Sequence, residues 1–213
     1  MPETARSHVH ERVDRVSKSV RQLLTEMKDT SEVIVDLAYA ALMFDSDEIG
    51  EEVRKLEEEM DTLKYLIRIK TMMAARNKND AVQLSGLLQV AAAAEAISNA
   101  AGDIVKLLEL DIEKRPFLSF VLKNAEEKIR MLTVSDRSDM ANRSIQDLSV
   151  ESETGMRIIA VKRGRRWIYD PEGTTDLKAG DILIVRGTED GCMLLRQFAT
   201  GEKKWPEYPA EGS

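Results

Sequence analysis

The sequence predicts an α+β protein: an N-terminal antiparallel bundle of three long helices, followed by a small domain of strands and short helices. Three observations carry this. Apolar residues recur at alternating steps of three and four over the first half, the spacing of one helix face. Near residue 125 that period gives way to short β-branched runs, KIRMLTV, RIIAVKR and DILIVRG. Glycines 155, 164, 173, 180 and 187 then punctuate the chain at turn spacing. The expected organisation is a flexible tail over 1–15, the bundle over 16–124, the second domain over 125–201 and a second tail over 202–213.

The first helix is read from Val20, Leu24, Met27, Ile34, Ala38 and Ala41, with Ser31 in the seam. It breaks at FDSDEIG, where Ser46 or Asp47 caps the next helix. The second helix follows Ile49, Val53, Leu56, Met60, Leu63 and Ile67, with glutamates and lysines on its solvated side. RNKND is the second break. A third helix is expected from about Asp80 to Glu113, ending before Pro116. Glu95 is its only charge between Ala81 and Gly102, so the helix is expected to be covered on two sides, by its own bundle and by a second subunit.

In the second half, RGRR reads as a hairpin turn with Gly164 at positive φ. NRSIQDL and TEDGCMLLRQFA read as short helices, the latter capped by Thr188. Asp181, after the turn LKAG, reads as a carboxylate that accepts local backbone N–H groups and closes the turn.

Composition excludes several functions. Net charge is −7, which argues against nucleic acid or an anionic membrane as a partner. Cys192 is the only cysteine, and His8 and His10 are the only histidines, so neither a disulfide framework nor a histidine-based catalytic site is expected. MPETARSHVH lacks the apolar core of a signal peptide, and the stretch 81–101 is too polar for a membrane span. A soluble cytoplasmic protein without direct membrane insertion is the expectation.

Two sets of residues are candidates for a site. Glu32 and Asp36, Glu57 and Asp61, and Glu95 with Asp103 each lie on one row of a helix. Converging carboxylates on neighbouring helices hold hard metal ions; carboxylates four apart are also what any solvated helix face carries. Projected at the helical period, the Glu95 row lies far from the most apolar face, which centres on Ile97, Ala101, Ile104 and Leu108. The second set is Lys162, Arg163, Arg165 and Arg166, followed by Trp167 and Tyr169. Guanidinium forks beside an aromatic suit a phosphate-bearing ligand. The same charges also serve a hairpin that blunts edge pairing, and strand alternation divides them between faces.

EVIVD and EEEMDTL resemble the acidic helix pattern of the PhoU family, as does NAAGDIVKLLE, although Asn99 stands where that pattern has a carboxylate. The resemblance covers about residues 16–124 and includes one three-helix repeat where PhoU proteins have two, so a dimer would supply the second. ETGMRIIAVKRGRRWIYDPEGTTDLKAGDILIVRGTED resembles the TrkA C-terminal domain, the regulatory module of potassium channels and transporters. Together they imply a non-enzymatic cytoplasmic regulator docked on a membrane cation channel or transporter. It would be a homodimer through the helical domain, with the C-terminal domain as a further contact. A cyclic dinucleotide ligand is implied by some TrkA C-terminal relatives, and a metal ion by the PhoU pattern. A regulator of phosphate transport or signalling is the other reading. No Gly-x-Gly-x-x-Gly follows a strand, so no Rossmann nucleotide site is expected.

Overall fold

Ser19, Ser46 and Asn77 start the three long helices, and each does so by the same device: a side-chain oxygen accepts a free N–H of the first turn. At Ser19 the bond is returned, because the Gln22 side chain accepts the Ser19 N–H in a capping box. In this computed structural model, which describes residues 18–110, 125 and 127–206, the helices are α1 (Val20–Met43), α2 (Asp47–Ala74) and α3 (Lys78–Val105). A single 3₁₀ turn, Lys106–Glu109, follows α3. The regular helix thus stops at Val105, and the expected end at Glu113 lies outside the described residues.

Two short connections, 44–46 and 75–77, fold these helices into the expected antiparallel bundle. Leu23, Met27, Met60, Leu63, Ile67 and Ala91 form part of its core, with Leu88 and Ala94 packed against them. Ser31, the polar residue in the α1 seam, is buried at little cost because its hydroxyl donates to the Lys28 carbonyl at 2.7 Å. The tyrosine and methionine side chains of α2 outside the seam, Tyr65, Met72 and Met73, are exposed.

The chain divides into two compact units, Met1–Asp111 and Ile112–Ser213, and the boundary expected at 124/125 falls at the end of 111–124, which lie outside the described residues. The second unit holds a four-stranded antiparallel sheet: β1 (Lys128–Thr133), β2 (Met156–Arg163), β3 (Arg166–Tyr169) and β4 (Ile182–Gly187), in the order β1-β4-β2-β3. The first, second and fourth of these are the three apolar runs. Three short helices accompany them: α4 (Ile145–Leu148), α5 (Val150–Thr154) and α6 (Glu189–Thr200). NRSIQDL was expected as one of two short helices in this unit. α4 lies within that segment, and Ser149 then sits at φ 47°, in the left-handed region, with a further turn of helix, α5, after it. Thr188 caps α6 as expected.

Leu132, Ile158, Val161, Leu183 and Val185 line the face of the sheet that packs against Leu195 and Phe198 of α6. Trp205 belongs to the same core. It is buried, its ring lies 4.5 Å from that of Phe198, and Asp139 accepts its backbone N–H at 3.3 Å. The tail expected from 202 is therefore packed at least as far as Trp205; residues 207–213 lie outside the described residues.

Gly191 lies in the first turn of α6, where a Cβ would collide with the Thr154 carbonyl oxygen. Backbone at that distance cannot swing aside as a side chain would. Gly191→Ala is expected to cost about 2–3 kcal/mol, read as a lowered denaturant midpoint with the slope unchanged.

Candidate functional site

Arg163 is the last residue of β2, and Asp181 directly precedes β4. Their side chains form a two-bonded fork: Arg163 Nε donates to Asp181 Oδ1 at 2.9 Å, and Nη2 donates to Oδ2 at 2.7 Å. The same Nη2 also donates to the Asp176 carbonyl at 2.7 Å. Asp181 accepts in addition the Lys178 N–H at 2.8 Å. Its residue is 1% exposed, and these three donors offset the cost of burying the carboxylate. The bond from the carboxylate raises the pKa of the Arg163 guanidinium. The turn-closing role expected for Asp181 is seen in the Lys178 bond. The partnership with Arg163 is not expected from sequence, and it takes one of the four cations of the hairpin out of the anion-site set.

The other three are distributed by strand alternation. Lys162 pairs with Trp167 across β2 and β3, and its Nζ lies 5.0 Å from the indole centroid. Two residues along β3, Tyr169 stacks on Trp167 with ring centroids 5.6 Å apart and planes 15° from parallel. The buried Trp167 Nε1 has no hydrogen-bond partner among the described residues. Arg165 and Arg166 are exposed at and beside the turn, where Gly164 takes the positive φ expected of it, 61°. The hairpin therefore presents two exposed guanidiniums, with a lysine and two stacked rings on the adjoining strands.

The six helical carboxylates do not converge: among the described residues no group of three or more histidine, cysteine or acidic side chains is placed to hold a metal. Glu32 binds Lys28 at 2.9 Å, and Asp103 binds Lys106 at 2.6 Å. Asp36 is buried in α1, and Asp61 is exposed on α2. Glu95 lies on the bundle side of α3, where it pairs with Lys64 of α2 at 2.6 Å. The expected projection set that row away from the packed apolar face, whose centre was placed near Ile97. The small residues explain the difference: Ala91, Ser98, Ala101 and Gly102 are buried together with Val105, so Ala101 packs as expected while Ile97 is exposed. A face of small residues lets α2 approach closely enough for Lys64 to reach Glu95.

Glu57 lies one register step along the same α2–α3 contact, with its carboxylate over Gly102. Burial raises its pKa, and Asp61, Asp103 and Glu58 raise it further; Lys106 acts against them. Cys192, the lone thiol, is buried in α6, and burial raises its pKa as well.

With this geometry in view, family comparison assigns both units. Residues 24–108 match the model of the PhoU domain, and residues 129–200 match that of the TrkA-C domain. The chain is a PhoU domain followed by a TrkA-C domain. Among curated relatives, it is 27% identical over 94 residues to probable potassium channel protein 2 of Methanocaldococcus jannaschii, which covers 41% of this chain and 27% of that protein. It is 28% identical over 100 residues to Ktr system potassium uptake protein C of Bacillus subtilis, covering 44% and 45%. The chain thus spans about a quarter of the first relative's length and less than half of the second's. A solved C domain of the potassium transport protein KtrA, in complex with cyclic diadenosine monophosphate, is 31% identical and covers 39% of this chain and 96% of that one, with a TM-score of 0.33.

Two outcomes follow for the TrkA-C and PhoU units. Arg163→Met leaves Asp181 buried with a single donor and is expected to cost about 2–4 kcal/mol, below the full buried-pair value because the arginine is partly exposed. Arg163→Met combined with Asp181→Leu should recover part of that loss, and chemical denaturation of the set measures it. For Glu57 the folded state holds its proton more tightly than the unfolded chain, so stability from this group is full below the ordinary glutamate value and falls as pH rises through the folded value. Glu57→Gln should therefore raise the melting temperature by a few degrees at most at pH 7. The gain should vanish near pH 4, as thermal scans across pH will show.

Proposed function

We propose that this chain is a cytoplasmic, non-enzymatic regulatory subunit of a potassium channel or transporter, acting as a homodimer peripheral to the membrane. The observation that carries the reading is the TrkA-C domain over residues 129–200, with relatives among the potassium channel and potassium uptake proteins. The regulated protein is a separate membrane partner. The non-enzymatic reading draws on a thiol held protonated by burial and on carboxylates already committed to lysines.

The regulatory ligand is an anion of the cyclic dinucleotide class, bound at the β2–β3 hairpin. Arg165 and Arg166 supply exposed guanidiniums, and Lys162, Trp167 and Tyr169 supply a cation and stacked rings beside them. The PhoU domain supports a second reading, regulation of phosphate transport or signalling.

The deciding experiment passes solubilised native membranes over the tagged protein and identifies what is retained by mass spectrometry. A potassium channel or transporter is the expected catch; a phosphate permease or its kinase favours the second reading, and an empty column counts against both. Titration calorimetry with cyclic di-AMP is expected to show binding that falls at least tenfold in Arg165→Glu/Arg166→Glu. Absence of heat at high micromolar ligand rejects the cyclic dinucleotide.

A further inference from the structure

One side of α3 is packed and the other is bare. Val82, Val90 and Ile97 are 64%, 58% and 44% exposed, and a Cβ at Gly86 would meet nothing within 4 Å. The bare side carries no charge from Ala81 to Gly102, because Glu95, the one charge in that stretch, is turned inward onto Lys64.

The pattern on that side is that of a helix seam. Gly86, Ala93 and Ala100 recur every seven residues, Val82, Gln89 and Ala96 do so half a heptad away, and all six are exposed. The order is also symmetric about Ala93. Reversing the helix end to end about that residue sets Gly86 opposite Ala100, small against small. It brings Val90 and Ile97, which flank the seam on one side, beside Ile97 and Val90 of the reversed copy. A sequence that is complementary to its own reverse fits an antiparallel twofold pair. Antiparallel placement also sets the opposite ends of the two helix dipoles together.

We infer that α3 pairs with α3 of a second copy of this chain, antiparallel, with the twofold axis at Ala93. This rests on the homodimer proposed above and specifies its helical contact. Lipid is a poor occupant of the same strip. Helices that lie in a membrane surface carry lysine or arginine beside bulky tryptophan, phenylalanine or leucine; this strip has no lysine or arginine, and beside Ile97 it is alanine, glycine, valine and uncharged polar residues. The strip is about 40 Å long and roughly 10 Å wide, so it buries about 400 Å² per copy, half of the ~800 Å² of a standard interface. The seam alone thus makes a weak dimer that dissociates on dilution, and further stability has to come from elsewhere in the chain.

Cysteine cross-linking of the full chain tests it. Cys192 is buried with its thiol held protonated, so the parent protein should not cross-link. Ala93→Cys should form a disulfide-linked dimer under mild oxidation. Val82→Cys should not, because its twofold mates lie roughly 33 Å apart in this arrangement. Gly86→Cys/Ala100→Cys should cross-link although neither single variant does. A parallel or shifted pair is shown by Val82→Cys linking as readily as Ala93→Cys, and overturns the inference. If light scattering finds a dimer while Ala93→Cys stays unlinked, the α3 seam is wrong and the dimer forms elsewhere. A monomeric mass at high micromolar concentration removes both. Flotation of unlinked Ala93→Cys with phosphatidylglycerol vesicles assigns the strip to lipid and overturns it too. Circular dichroism of each variant checks that the helix is intact.

Discussion

The Asp181 carboxylate is the point on which the TrkA-C unit turns. It is buried at the start of β4, and a charge in that place needs its lone pairs filled. Filling them draws three stretches of chain together: the Lys178–Asp181 turn, the end of β2 through Arg163, and the loop around Asp176 through the shared guanidinium. β2 and β4 are neighbours in the sheet, and Lys162 stands opposite Ile182 one residue before the fork. The fork therefore pins the end of that ladder, and the β2–β3 hairpin springs from a root held by ionic bonds. The sheet behind it is held by apolar burial on α6.

The PhoU unit is governed by a different constraint, the distance between α2 and α3. Small residues at Ala91, Ser98 and Gly102 let the two helices approach, and two α2 side chains exploit the space. Lys64 reaches Glu95 and pairs with it; Glu57 reaches the bare backbone of Gly102, where burial outweighs the Lys106 charge and raises its pKa. The same economy that gives α3 a small-residue inner face gives it a small-residue outer face, and only the inner one is filled within a single chain.

Much of this was legible in the sequence, and the exceptions share a cause. Helical spacing in α1 and α2, the three long strands, the Ser46 and Thr188 caps and the positive φ of Gly164 are all local signals, set within a few residues of where they act. What escaped was non-local or fell below the reach of hydrophobic counting. Arg163 and Asp181 are eighteen residues apart, so a hairpin cation read as free was the partner of a buried carboxylate; its further bond at Asp176 runs to the backbone carbonyl, which no side-chain type signals. The projected face of α3 was right at Ala101 and wrong at Ile97, and Glu95 was set too far from the packed side, because Ala91, Ser98 and Gly102 weigh little in a hydrophobic projection and yet are buried. Trp205 lay beyond the last regular element among prolines and charges, and only its size argued for burial.

Fixing the root of the hairpin bears on how a regulator of this kind would sense an anion. Arg163 cannot turn to a ligand without breaking the fork, so on the proposed reading an anion would meet Arg165 and Arg166 on a turn whose base is tied down by that fork. A preorganised turn loses less freedom on binding, and more of the interaction energy appears as affinity. Binding alone regulates nothing: the ligand shifts the protein only to the extent that it prefers one arrangement of the subunits. A hairpin that is rigid within one chain can supply that preference only if the ligand also touches something that changes between arrangements. In a homodimer the natural candidate is the same hairpin of the other copy. Two sets of guanidiniums repel when brought together, and a doubly charged ligand between them removes the repulsion. On the proposed reading, that is the differential interaction the sensor requires, and it predicts that the dinucleotide acts through its charge on two hairpins, where a mononucleotide would reach one.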